Sequence, residues 1–341
     1  MNYFNSSEQH WRLSQCCQFF DKPKAKRYNF GTTTKTYALK DGGKQKVQSK
    51  ALENCDKLVD VLNTYFPTQP KNLRSFRISS EMFPCYTLDF TQDWYSEIWD
   101  QISDKLKRAG DLAKKHQVRL STHPGQFTVL ASNKADVVQN SVKDLEYHAL
   151  YGKLMGLDAK DFVMNIHLQG LYGGKHVDGI NRFATHFHYL SDYAQQCLAV
   201  ENEDKHKSGY DIIHILELCA KIPTRATFDI HHYECMRKKD CDFPSVNDWF
   251  FKEAVKSWKD TRPLFHVSQT LIDENGNDVS RMNQHSNILH DKYRLAAMTP
   301  MLEYADFDIE AKHKEVAVLD AYKFFKEEET YAGELIKCKR F

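Results

Sequence analysis

Cys197-Leu-Ala-Val-Glu201-Asn-Glu-Asp204 is an apolar run that stops at a carboxylate. A buried carboxylate without partners is costly, so an acid ending a buried strand calls for company. The chain repeats the pattern in Ser121-Thr-His123, Asn165-Ile-His167, Thr227-Phe-Asp229, Leu264-Phe-His266 and Asp308-Ile-Glu310. Around these ends, strands are expected at Ser75–Ser79, Val118–Thr122, Asp161–His167, Cys197–Glu201, Arg225–Ile230, Pro263–Val267 and Phe307–Ala311, with Arg27–Thr32 ahead of them. Helical periodicity fills the intervals at Asn54–Phe66, Trp94–His116, Asn133–Met155, Gly179–Ala194, Gly209–Lys221, Ser245–Trp258, after Asn287, and at Lys314–Glu328.

Strand and helix alternating eight times predict a parallel sheet closed into a single (β/α)8 TIM barrel of the α/β class. Residues 1–26 are expected to form a short amino-terminal extension, 27–328 the barrel and 329–341 a tail. An open doubly wound sheet would bring a glycine-rich phosphate loop, and the sequence contains no GxGxxG. Gly170-Leu-Tyr-Gly-Gly-Lys175 and Thr270–Gln284 are expected as long loops at the catalytic end.

Composition is that of an ordinary globular chain, with 341 residues, 41% hydrophobic and 27% charged. A net charge of +1 gives no whole-molecule attraction for nucleic acid. Lys22–Lys50 is the local exception, with nine Lys or Arg against Asp41 alone, and could meet phosphates or form a solvated arm. Nine cysteines without a CxxC pair read as reduced thiols, Cys16-Cys17 and Cys235/Cys241 included. The expected setting is cytoplasmic, or nuclear in a eukaryote, since no leader and no run of ~20 apolar residues is present. No membrane contact and no obligate protein partner are expected.

Side chains at the carboxyl ends of barrel strands converge on one mouth whatever their separation in sequence. His123, His167, Glu201, Asp229, His266 and Glu310 end six consecutive units. A strand broken after Ile230 would let Asp229 meet His232 around one ion, and His285 or His290 could add a ligand. Imidazoles and carboxylates without thiolate point to manganese or zinc, in a multinuclear site. Two or three ions suit phosphodiester hydrolysis, with Glu201, Asp229 and Glu310 as the catalytic carboxylates. A single-metal sugar isomerase or epimerase is the competing reading, and an abasic-site endonuclease of similar barrel is another. Gln126 and Phe127 follow His123 across a Pro-Gly turn. A glutamine beside a ring at a rim is suited to entering a duplex and stacking on displaced bases.

The motifs Gly31-Thr-Thr-Thr-Lys-Thr, Phe76-Arg-Ile-Ser-Ser, Ser121-Thr-His-Pro-Gly-Gln-Phe, Asn165-Ile-His, Val200-Glu-Asn-Glu-Asp, Phe228-Asp-Ile-His-His, His266-Val-Ser and Asp308-Ile-Glu-Ala-Lys occur in that order. In them the chain resembles the ultraviolet damage endonucleases, from about Phe30 to about Glu327. The resemblance implies a TIM barrel with a divalent cluster, commonly manganese, with zinc or magnesium as alternatives. It implies a cut in damaged double-stranded DNA immediately 5′ of cyclobutane pyrimidine dimers and (6-4) photoproducts, without a glycosylase step. Carried over, the ligands are His123, His167, Glu201, Asp229, His232, His266, Glu310 and His285, with His290 as the alternative to the last. Gln126 and Phe127 fall on the lesion-probing pair, where phenylalanine keeps the ring of the usual tyrosine and loses its hydroxyl. Leu88 stands where the family has its first histidine ligand, with Asp89 beside it as a substitute. Leu264 stands where the family has a lysine that can be carboxylated. These departures imply a weakened or absent metal position and a narrower range of lesions.

Overall fold

The computed structural model describes residues 10–19, 30–205, 209–237 and 242–338, with side chains to residue 328. Eight parallel strands form the barrel: β1 Leu13–Cys16, β2 Ser75–Ile78, β3 Arg119–Thr122, β4 Val163–His167, β5 Leu198–Glu201, β6 Arg225–Thr227, β7 Leu264–Val267 and β8 Asp306–Ile309. Hydrogen-bonded neighbours run β6-β5-β4-β3-β2-β1-β8-β7. The seam between β6 and β7 closes just beyond β6, where Asp229 pairs with His266 and the His266 amide donates to the Phe228 carbonyl at 3.0 Å.

The expected barrel is present, but its first strand is not Arg27–Thr32. Residues 27–29 lie outside the described residues, and residues 30–32 have no regular structure. Leu13-Ser-Gln-Cys16 takes the place instead, pairing with β8 through Ser14↔Asp308 and with β2 through Gln15↔Phe76. The barrel therefore begins inside the stretch read as an extension. Leu-Ser-Gln-Cys has neither β-branched residues nor clean alternation, so nothing local marks it as a strand. Two expected helices are each divided. Trp94–His116 becomes Gln92–Ser96 and Trp99–His116, while Gly179–Ala194 becomes His176–Phe187 and Asp192–Cys197. In the second case Ser191 caps the new start, its side chain accepting from the Ala194 amide.

Alternation along the strands sorts side chains between the barrel interior and the surrounding helices. Phe265 and Phe307, adjacent in register, pack outward with ring centroids 6.1 Å apart, and Phe251 of helix Trp249–Ser257 meets Phe265 at 5.8 Å. Burial of each such ring contributes about 1.5–3 kcal/mol. The alternate positions of Asp306-Phe-Asp308-Ile-Glu310 are all acids. At the floor Asp306 meets Arg119 at 2.8 Å, Arg262 at 2.7 Å and Arg12 at 3.5 Å. Higher up, Asp308 lies 3.2 Å from Arg77 and accepts from the Cys16 thiol at 3.1 Å. Glu310 reaches the mouth. Among the described residues no helix is long and apolar enough to cross a membrane.

Candidate metal centre

In-register pairing of β4 with β5 places His167 directly beside Glu201 at the ends of their strands. Glu201 has no exposed surface. Its Oε2 lies 3.4 Å from His123 Nε2 and 3.1 Å from His266 Nδ1, and its Oε1 lies 3.0 Å from His232 Nδ1. Three groups of potential ligand atoms each gather within 4.8 Å: His123, Glu201 and His266; His167, Glu201 and His232; Asp229, His266 and Glu310. Glu201 belongs to two of them, and so does His266.

Local structure explains how Asp229 and His232 meet. β6 ends at Thr227, earlier than the sequence suggests, and Asp229 caps helix Ile230–Met236, accepting from the His232 amide at 2.6 Å. The turn brings His232 Nδ1 within 3.8 Å of Asp229 Oδ2. Asn202, the residue just beyond β5, clamps this corner, donating to the Asp229 carbonyl at 2.9 Å and accepting from the Asp229 amide at 2.8 Å. Across the mouth, His285 Nδ1 stands 3.7 Å from Glu310 Oε2. His290 makes no ion pair with the cluster among the described residues, so the geometry favours His285.

Electrostatics divide the ligands. Burial pushes the Glu201 carboxyl up, but His266, His167, His123 and His232 outweigh it and hold it well below the usual carboxylate range. Burial lowers His266, yet Glu201, Glu310 and Asp308 raise it to about 9. His167 is pushed down to about 4 by burial, with His232 and His123 adding to the effect against the pull of Glu201. Burial raises Asp229 to about 6. His167 Nδ1 and Asp229 Oδ2 are buried and make no hydrogen bond among the described residues. Such atoms are rarely left unsatisfied, and divalent cations held by the triads that contain these residues, His167–Glu201–His232 and Asp229–His266–Glu310, would give them partners. The donor set therefore fits a metal.

Two expected contributors are elsewhere. Asp89, read as a substitute ligand, has a carboxylate 90% exposed and paired with Lys143 at 2.9 Å, outside the cluster. Leu264 is buried in β7 and adds an apolar wall. Cys235 sits 3.7 Å from His231 rather than among the ligands, and Cys241 lies outside the described residues. Gln126 and Phe127 are exposed on the loop leaving His123, Phe127 at 85%.

Sequence reasoning gave no role to Arg77, Asp308 or Asn165. Arg77 hydrogen-bonds Glu310, and Asn165 donates to Glu201 Oε2. Asp308 Oδ2 is 3.9 Å from His266 Nε2, behind the ring whose other nitrogen faces Glu201. Hydrogen-bonding partners of this kind fix ligand orientation. The period-two acids of β8 were the one signal in the sequence that pointed to Asp308.

The UV-endonuclease UvdE family model matches residues 21–334. A UV DNA damage endonuclease of Nostoc sp. is 32% identical over 90% of this chain and 88% of its own length. The crystal structure of SacUVDE superposes with a TM-score of 0.77 at 25% identity, covering 94% of this chain and 99% of that one. Endonuclease IV from Thermus thermophilus shares the fold, with a TM-score of 0.53 at 12% identity over 80% of this chain and 94% of its own. With the family model matching most of the chain and the likeness running nearly end to end, the chain belongs to the UV-endonuclease UvdE family.

Proposed function

We propose that this protein is a metal-dependent endodeoxyribonuclease of DNA repair. It hydrolyses the phosphodiester 5′ of cyclobutane pyrimidine dimers and (6-4) photoproducts in damaged double-stranded DNA. The observation that carries this reading is Glu201, shared between two triads of buried ligands. Bound divalent ions, manganese ahead of zinc or magnesium, supply a nucleophile from water near neutral pH and neutralise charge on the phosphoryl oxygens. The reading assigns two ions, since Leu88 and Leu264 remove donors from a third position.

Within that scheme His167, Glu201 and His232 would hold one ion and His123, Glu201 and His266 the other, with Asp229 and Glu310 joining the second through His266 and with His285 at the flank. Burial pushes the Glu310 carboxyl up, but the permanent cation Arg77 holds it well below the usual carboxylate range, and Arg77 also lies 3.2 Å from Asp308. Gln126 and Phe127 enter the duplex, the ring stacking where the lesion has loosened its neighbours. Selectivity comes from deformability: a lesion that already weakens pairing lowers the energy needed to open the helix.

The test is supercoiled plasmid, irradiated or not, incubated with manganese or with chelator. Nicked circles are expected only from irradiated plasmid with manganese. Equal nicking of both plasmids, or nicking under chelation, would overturn the reading.

A further inference from the structure

Beside the loop that carries Gln126 and Phe127 runs a groove of about 740 Å³ on the outside of the barrel. The amino-terminal half of helix Ala135–Leu154 forms one wall, and helix His176–Phe187 with the following Tyr189 forms the other. Its floor is apolar, from Ala135, Val138 and Val142, and its rims carry Lys134, Lys143, Arg182 and His186. Among the described residues none of those lining it is a carboxylate. In a chain of net charge +1, that segregation of sign requires a reason. Tyr189 stands 61% exposed at the edge, offering a ring face to solvent.

The groove is mechanically joined to the metal centre. Residues 123–134 begin at the ligand His123 and end at Lys134 on the rim. Arg182 Nε donates to the Ala131 carbonyl at 2.7 Å, and its Nη2 donates to the Gly170 carbonyl at 2.6 Å. His186 Nδ1 lies 2.6 Å from the Leu130 carbonyl, and the Tyr172 hydroxyl donates to Ser132 Oγ at 3.0 Å. The wall of the groove thus fixes the base of the loop whose tip is exposed over the mouth.

We propose that the groove binds the sugar–phosphate backbone of the DNA flanking the cut site, with Lys134 and Lys143 pairing with phosphates and Tyr189 as a stacking face; this rests on the endonuclease reading above. Basic rims with an aromatic face are the makings of a sequence-independent nucleic-acid track. The exposed Lys143–Asp89 pair is no obstacle, because surface pairs of that kind are weak and yield to a phosphate.

The test measures equilibrium binding of an undamaged labelled duplex to the full chain, in chelator, across a salt series. Lys134→Ala/Lys143→Ala is expected to reduce the slope of log affinity against log salt by about 2, near 0.9 for each phosphate no longer neutralised. Lys71→Ala/Lys114→Ala, at the closed end of the barrel, is expected to leave the slope unchanged. Incision of irradiated plasmid by the first variant should show a raised KM with kcat retained. Equal slopes for wild type and the first variant would overturn the track and leave the groove to a protein partner. Equal reductions in both variants would overturn it in favour of diffuse charge. Should wild type bind duplex with the expected slope yet never incise irradiated DNA, the track stands and the endonuclease reading fails.

Discussion

Glu201 is enclosed by His123, His232 and His266, all within 3.4 Å; burial lowers His232 and His266, but Asp229 and Glu201 raise the first well above its ordinary value, and Glu201 and Glu310 raise the second to about 9. Glu201→Ala should therefore abolish incision of irradiated plasmid and lower the bound-metal stoichiometry, while the far-ultraviolet circular dichroism stays that of the wild type. Normal cutting by that variant would mean the cluster is not the active site. Asn165→Ala tests the next layer out: loss of one hydrogen bond to a ligand typically costs about 10–100-fold in metal affinity or rate, and a metal titration would read it. At this scale much was legible, because a carboxylate or imidazole at the end of an apolar run is conspicuous. Arg77 and Asn165 were not. Their importance lies in what faces them across the barrel, and a linear pattern carries no record of that.

Among the elements, the loop from His123 to Lys134 has a free tip and a fixed base. Gln126→Ala and Phe127→Ala should lose discrimination between irradiated and untreated plasmid more than they lose metal content; full discrimination in both variants would remove the loop from lesion recognition. Gly170 sits at a φ of +72°, and a Cβ there would lie 2.8 Å from the Ala131 carbonyl oxygen. Gly170→Ala combines left-handed strain of about 1–2 kcal/mol with that clash, so it should lower the thermal midpoint and loosen the loop's base together. Seven strands were readable from β-branched or apolar runs, six of them with an imidazole or carboxylate of the cluster at or within two residues of their ends. β1 was not, since Leu-Ser-Gln-Cys depends on the neighbours that enclose it rather than on its own propensity. Of the expected strand Arg27–Thr32, the described residues 30–32 carry the local signal of a strand without its regular structure.

At the scale of the molecule the barrel has charge at both ends and different uses for it. The floor cluster joins Asp306 to Arg12, Arg119 and Arg262, far from the mouth. Burial pushes the Asp306 carboxyl up, but Arg119, Arg262 and Arg12 hold it below its ordinary value of about 3.8. A depressed carboxyl adds stability that is complete above the unfolded value and disappears as pH falls through the folded one. Wild-type stability should thus drop on acidification below about pH 4, as read from urea midpoints. Asp306→Asn should be less stable near neutrality by about 3–5 kcal/mol, the usual penalty for stranding buried charge, with a shallower acid limb. Manganese should raise the thermal midpoint of the wild type by mass action and leave Glu201→Ala unmoved.

β1 is a stave between two others, and a barrel missing one stave does not hold. The family match begins at residue 21, downstream of Leu13–Cys16. Trimming the chain to that boundary would discard Arg12 from the floor and leave β2 and β8 with bare edges, a form prone to sticking to its own copies. Anyone shortening this protein should keep its opening residues.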